Sequence, residues 1–271
     1  MKNIYLSLIL TLVVSMVGSV ALIAQDSTAT PKVSLDVSCD LMSRYVWRGS
    51  QFGGNSPSIQ PGVEANYKFL TFGVWGAYST GGINASQEVD LYLSANFFND
   101  KFTAVVTDYY FPSNTINYDY FAYGDKTGHV LEAGLLFNGT DKIPFSFSAY
   151  LNFYGNDAHK TGDNPSDTTT FNKNIGNQYS NYFELAYNKS FTNMDLSAFV
   201  GFTLTNQKSA DSKIGYNGET GFYGKGAGVV NLGLTLSKGI KITKNYSLPI
   251  TASFIVNPNA EHIYLVFGFS F

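Results

Sequence analysis

Ile263-Tyr-Leu-Val-Phe-Gly-Phe-Ser-Phe271 closes the chain and governs how the rest is read. Ile263, Leu265, Phe267, Phe269 and Phe271 share one parity, while Tyr264, Gly268 and Ser270 fall on the other. Successive side chains of an extended strand point to opposite faces, so this stretch predicts a strand with one wholly apolar face. The same period of two recurs upstream in about a dozen segments of roughly ten residues, the length a tilted strand needs to cross a bilayer.

The first segment puts Val33, Leu35, Val37, Cys39, Leu41, Tyr45 and Trp47 on one face and Ser34, Asp36, Ser38, Asp40, Arg44 and Arg48 on the other. The fourth sets Val89, Leu91, Leu93, Ala95 and Phe97 against Glu88, Asp90, Tyr92, Ser94 and Asn96. The tenth sets Val230, Leu232, Leu234 and Leu236 against Asn231, Gly233, Thr235 and Ser237. In the third, an apolar face of Phe72, Val74 and Tyr78 turns Trp75 inward; the fifth, Phe102 to Phe111, is apolar on both parities.

Connections alternate between short and long. Short ones fall near Phe69-Leu70, Asn99-Asp-Lys101, Asn138-Gly-Thr-Asp-Lys142 and Lys189-Ser-Phe-Thr-Asn193, and long ones span Pro112–Gly128, Tyr154–Asn177 and Asn206–Gly226. Long links at every second position gather at one end of an antiparallel meander, which is the asymmetry of outer-membrane barrels; the exceptions are short outer links near Gly81-Gly82 and Asn257-Pro258 and a longer inner turn, Lys238–Tyr246. Outward aromatics collect at segment ends, where rings meet lipid headgroups. Tyr67, Phe97, Phe137, Phe145, Tyr187 and Phe271 lie toward the short turns; Tyr45, Trp47, Phe153 and Tyr179 lie toward the long loops. The expected fold is all-β: a transmembrane antiparallel up-and-down β-barrel of about twelve strands over residues 33–271.

Residues 1–24 have the form of a cleaved signal peptide, with Lys2, an apolar run from Ile4 to Val20 and Ala21-Leu-Ile-Ala24. Residues 25–32 then form a short periplasmic segment, and an even strand count leaves both termini on the periplasmic side of the bacterial outer membrane. Charged residues are 14% of the chain, against about 25% in ordinary soluble domains. A net charge of −3 argues against nucleic acid as a partner. Cys39 is the single cysteine and has no internal disulfide partner.

Ser43-Arg-Tyr-Val-Trp-Arg-Gly-Ser-Gln51 resembles the Ser-x-Tyr-x-Phe-Arg-Gly-x-Ser-Gln opening of the TorF-type porin family, outer-membrane barrels of largely unassigned function. Pro57-Ser-Ile-Gln-Pro-Gly62, Phe72-Gly-Val-Trp-Gly-Ala77 and Glu88-Val-Asp-Leu-Tyr92 follow in the family's order, with Trp47 where the family has Phe. The resemblance implies a porin-like barrel of about this size and brings no substrate with it. The last strand, ending in Phe271, resembles the closing strand of outer-membrane barrels, so the barrel-assembly machinery is an expected partner beside outer-membrane lipid.

Arg44 and Arg48 are the only arginines, four apart on the inward face, and Asp36 and Asp40 precede them at the same spacing. Pairing through the first loop is expected to bring Lys68 near Asp36 and Glu64 near Arg44. Two roles stay open: a field across a constriction that orients solutes, or ion pairs that hold the wall. Glu88, Asp90, Glu132 and Glu184 add inward acid, which predicts a cation preference. Tyr92, Tyr150 and Tyr182 face the lumen, either to stack on sugars or to fill a narrow interior. His129, His159 and His262 show neither an evident serine partner nor ligand spacing, so no enzyme, metal or cofactor is expected. Passive diffusion of small hydrophilic solutes is the expected function. The alternatives are a plugged, structural or receptor-like barrel, with loops 154–177 and 206–226 folding inward or binding a partner, and an outer-membrane enzyme.

Overall fold

Alternation within each segment becomes pairing between segments. The computed structural model describes residues 33–81, 86–112, 120–124 and 127–271; the expected signal peptide and the segment 25–32 lie outside them. The strands in chain order are β1 (Ser34–Met42), β2 (Tyr45–Trp47), β3 (Ser50–Phe52), β4 (Ser58–Tyr67), β5 (Leu70–Ser79), β6 (Gln87–Phe97), β7 (Phe102–Tyr110) and β8 (His129–Phe137). They continue with β9 (Phe145–Gly155), β10 (His159–Thr161), β11 (Asn174–Asn177), β12 (Asn181–Phe191), β13 (Met194–Thr203), β14 (Gly228–Lys241), β15 (Ser247–Asn257) and β16 (His262–Ser270).

Twelve strands close one barrel in the order β1-β16-β15-β14-β13-β12-β9-β8-β7-β6-β5-β4. Each is antiparallel to its neighbours, and consecutive wall strands are adjacent, so the barrel is an up-and-down meander. β2–β3 and β10–β11 are separate hairpins. The links 68–69, 98–101, 138–144, 192–193 and 242–246 fall at one end, here the turn end; the links 43–57, 80–86, 111–128, 156–180, 204–227 and 258–261 fall at the other, the loop end. The long links 111–128, 156–180 and 204–227 thus collect at one end as expected, and 258–261 is the expected short exception there. The seam between β1 and β16 is the shortest ladder, registered over Asp40–Met42 and extended by a pair of backbone bonds between Cys39 and Phe271.

The outward parity is apolar around the whole wall. Leu135 (67% exposed), Ile263 (66%) and Leu265 (54%) typify it, and Phe97, Phe102, Phe145 and Phe271 ring the turn end. Soluble monomers do not leave a continuous apolar belt bare, whereas a closed barrel in hydrocarbon satisfies every backbone group and needs that belt. The protein is a transmembrane barrel.

Inside, glycines seat the large rings. A Cβ on Gly201 would lie 2.0 Å from the Tyr182 hydroxyl oxygen, one on Gly134 2.5 Å from Tyr150, and one on Gly73 2.0 Å from Tyr92. Each predicted lumen tyrosine therefore lies flat over a glycine on the adjoining strand, where a missing side chain leaves the room.

Two expectations about facing are corrected. Val230 is not outward: the β13–β14 register shifts between Gly201 and Phe202, and the bulge turns Val230 inward to full burial beside Asn231. Tyr45 and Trp47 are not part of an outer aromatic girdle. β1 ends at Met42, and the chain beyond it leaves the wall and enters the lumen as β2–β3. Trp75 does face inward, with its ring 5.5 Å from that of Tyr45.

Candidate functional site

The hairpin β2–β3 reverses through Arg48 (φ 48°) and Gly49 (φ 77°), both left-handed, as a two-residue type I′ turn requires. Gly49 is indispensable by space alone: an added Cβ would sit 1.9 Å from the Val230 carbonyl oxygen on β14. The Gly49 carbonyl accepts the Asn257 Nδ2 proton at 3.0 Å, fastening the tip to β15. Arginine is a costly choice for a left-handed position, and such strain persists only where the surroundings hold it.

Those surroundings are a bidentate clamp in an aromatic cage. Arg48 Nη1 and Nη2 donate to Glu132 Oε2 and Oε1 at 2.5 and 3.0 Å, and both side chains are buried. The guanidinium carbon lies 3.9 Å from the Tyr150 ring centre, 4.3 Å from Trp47 and 4.6 Å from Tyr182. The Glu132 carboxylate also accepts the hydroxyls of Tyr109 (2.9 Å) and Tyr223 (3.0 Å), so both oxygens are saturated. A buried ion pair is stable when the remaining hydrogen-bonding sites are filled in this way. Beside it, Glu184 takes the Tyr182 hydroxyl and, at 2.9 Å, Asn231 Nδ2.

Tyr223 reaches this centre from the link 204–227, which folds inward as one alternative expected. Its ring packs on Trp47 and Tyr182, and Phe222 meets Trp47 edge-on. The link 156–180 in turn lies over the link 204–227. Glu219 accepts the backbone N–H groups of Thr161 and Lys208, and Lys208 Nζ lies 2.7 Å from Asp163. Three layers therefore pack in the loop half of the lumen: hairpin, aromatic wedge and covering loop.

The structure places the remaining candidates as follows. Asp36 stands opposite Glu64, not Lys68, and accepts Asn66 Nδ2 at 2.7 Å. Glu64 takes the Tyr92 hydroxyl at 2.5 Å, and Lys68 sits in the β4–β5 turn, 5.2 Å from the centre of the Tyr67 ring. Neither expected ion pair forms, because the β1–β4 register is displaced from the expected one and Arg44 departs with the hairpin. Asp40 faces Gln60 beside the seam. Glu88 and Asp90 are buried on β6 near the hairpin, and Glu88 Oε2 and Asp90 Oδ1 have no hydrogen-bond partner. Arg44 donates to Gln51 Oε1 at 2.9 Å.

His129 points outward but is fully covered by residues 120–124: Nδ1 lies 2.7 Å from Asp108 and the Tyr123 ring stacks at 4.4 Å. The pair pins that loop to the outside of the wall. The loop acids go to local work. Asp157 holds Asn152 and the Ser180 N–H; Asp167 holds Thr169 and Thr170, whose hydroxyls lower its carboxyl pKa to about 2. Among the described residues no three His, Cys, Asp or Glu side chains gather as metal ligands.

The sequence reading missed the hairpin and Tyr223. The signals were present: Ser43 is the one polar residue on the outward parity of the first segment, and Phe222-Tyr223 is an aromatic pair bracketed by Gly221 and Gly224. No protein-family model matches the chain, and no curated protein matches it. Among solved structures, one from work on the in-meso crystallisation of membrane proteins is similar with a TM-score of 0.46 and 9% identity, over 88% of this chain and 82% of the other.

Proposed function

We propose that the chain is a bacterial outer-membrane barrel akin to the TorF-type porins, passing small hydrophilic solutes when a stopper inside its lumen yields. In this reading the loops face outward, both termini are periplasmic, the signal peptide is removed, and the strand ending at Phe271 is what the barrel-assembly machinery receives. The protein performs no chemistry on what it passes. The Arg48–Glu132 clamp carries the reading, because it fastens a hairpin of the chain's own across the lumen. The acids Asp36 and Glu64 toward the turn end give the open part a cation preference.

Planar-bilayer recording on refolded protein tests this. The intact chain is expected to give rare openings, and a variant with residues 45–52 replaced by a Gly-Ser linker steady, cation-selective steps. Equal, steady conductance in both would refute the stopper. Silence in both would favour a receptor-like or structural barrel, which the dense packing around Tyr182 and Glu132 also suits.

A further inference from the structure

The two arginines have opposite fates. Arg48 is consumed by Glu132, whereas Arg44 enters no ion pair among the described residues and gives one hydrogen bond, to Gln51. A guanidinium carries five donors in a planar fork, so Arg44 has capacity left over. It lines a cavity of about 610 Å³ at the loop end, bounded by the β2–β3 hairpin, residues 221–224 and the β15–β16 turn. That volume falls within the range of small-molecule sites, about 300–1,000 Å³.

The lining carries no carboxylate, although the chain is acidic as a whole. Glu261, next to His262, is exposed and not part of it. The polar groups are also held in place. Gln51 Nε2 donates to the Gly54 carbonyl at 2.7 Å and to Asn55 Oδ1 at 2.8 Å, which fixes its Oε1 toward Arg44. The Tyr264 hydroxyl lies 3.1 Å from His262 Nδ1. When that hydroxyl donates, Nε2 carries the imidazole proton and becomes a second donor. Phe222 supplies an aromatic wall for the uncharged body of a ligand.

We propose that this cavity binds the anionic group, carboxylate or phosphate, of a small solute, with Arg44 as the anchor and Gln51 as the residue that positions it. Glycans without charge are disfavoured, because their hydroxyls can accept from the guanidinium but bring no counter-charge and no planar pair of oxygens to match its fork. The site shares the hairpin with the stopper through Gly49, Ser50 and Gln51, but binding does not require that the barrel conduct.

The test uses the full chain refolded in detergent, titrated by calorimetry with sodium phosphate, sodium glucuronate and glucose at constant ionic strength. Of the only two tryptophans, Trp47 belongs to the hairpin and Trp75 packs on its Tyr45, so their fluorescence reports whether each variant keeps its fold. Saturable binding of phosphate or glucuronate is expected, with glucose at least about tenfold weaker and Arg44→Gln weakening the anion about tenfold or more. Arg44→Lys should fall between, since it keeps the charge and loses the fork. The phosphate and glucuronate arms tell which anion the site takes. The proposal is overturned if neither anion saturates, if glucose binds as well as both, or if a folded Arg44→Gln protein binds as tightly as the wild type. The wild-type comparison decides the matter even if no variant folds, and no outcome depends on conductance.

Discussion

The loop half and the turn half of the lumen are enclosed by the same twelve strands, yet one is packed and the other is lined. In the loop half Tyr182, Val230 and Glu132 are 2% exposed or less. In the turn half short polar side chains bond sideways to the next strand: Thr71 to Asn66, Thr103 to Asn96, Ser197 to Asn188, Thr235 with Ser253. Most of these remain accessible to solvent. A single layer of Ser, Thr and Asn lies along a wall this wide and cannot span it. Filling needs a second layer of chain, and among the described residues only the loop half receives one, from β2–β3 and the wedge at Tyr223. The strand count sets the width; the inserted chain decides whether the width is used.

Removing one partner of the clamp should separate the halves most sharply. Arg48→Met leaves Glu132 buried without a counter-charge, and a loss of about 3–5 kcal/mol is expected. Asp36→Asn, in the exposed Asp36–Asn66 contact of the turn half, should cost about 0–1 kcal/mol. Urea unfolding in micelles, followed by tryptophan fluorescence, measures both. Equal costs would break the contrast between a packed and a lined half.

Next in size is the same small change made in each half. Gly201→Ala drives a methyl into Tyr182, which is 1% exposed and wedged between Tyr223 and Asn231. Overpacking of that kind costs about 1–3 kcal/mol. Gly73→Ala meets Tyr92, whose ring is only partly buried and has space to swing, so its cost should be smaller. Reversal of that order in unfolding midpoints would show that the turn half is the more tightly packed.

The smallest effect belongs to the cover. Lys208 holds the exposed Asp163 carboxyl below its ordinary pKa, and Asp163 in turn raises that of Lys208. A depressed carboxyl stabilises the contact above the ordinary carboxylate range and loses it as pH falls through the lowered value. A raised ammonium loses it as pH rises through its own. Protease cleavage within residues 156–180 should thus stay flat near neutrality and rise slightly below about pH 4. Asp163→Asn should remove that acid limb. A large acid-induced opening in the Asp163→Asn protein would show that Glu219, which bridges both loops, matters more.

Much of the barrel was legible from residue order. Leu93, Leu135 and Leu265 were assigned to lipid and Glu132, Glu184 and Tyr150 to the lumen by parity alone, since a pleated strand leaves no other option. The turn-end aromatics and the alternation of short and long links followed from the same pattern. The site was half legible. Arg48 was placed inside correctly, but its partner stands 84 positions away on β8 and its tyrosine cap 175 positions away in a loop.

The sequence by itself determined which side of the wall meets hydrocarbon, the approximate number of strands, and the end at which the loops collect. Tertiary structure alone decided that the chain leaves the wall after Met42, that Val230 turns inward at a bulge, and that the loop half is packed. The reason is physical. A period of two reports only that neighbouring side chains point opposite ways, and a hairpin inside the lumen alternates just as a strand in the wall does. What separates them is the partner each backbone finds, and for Gly49 those partners lie on β14 and β15.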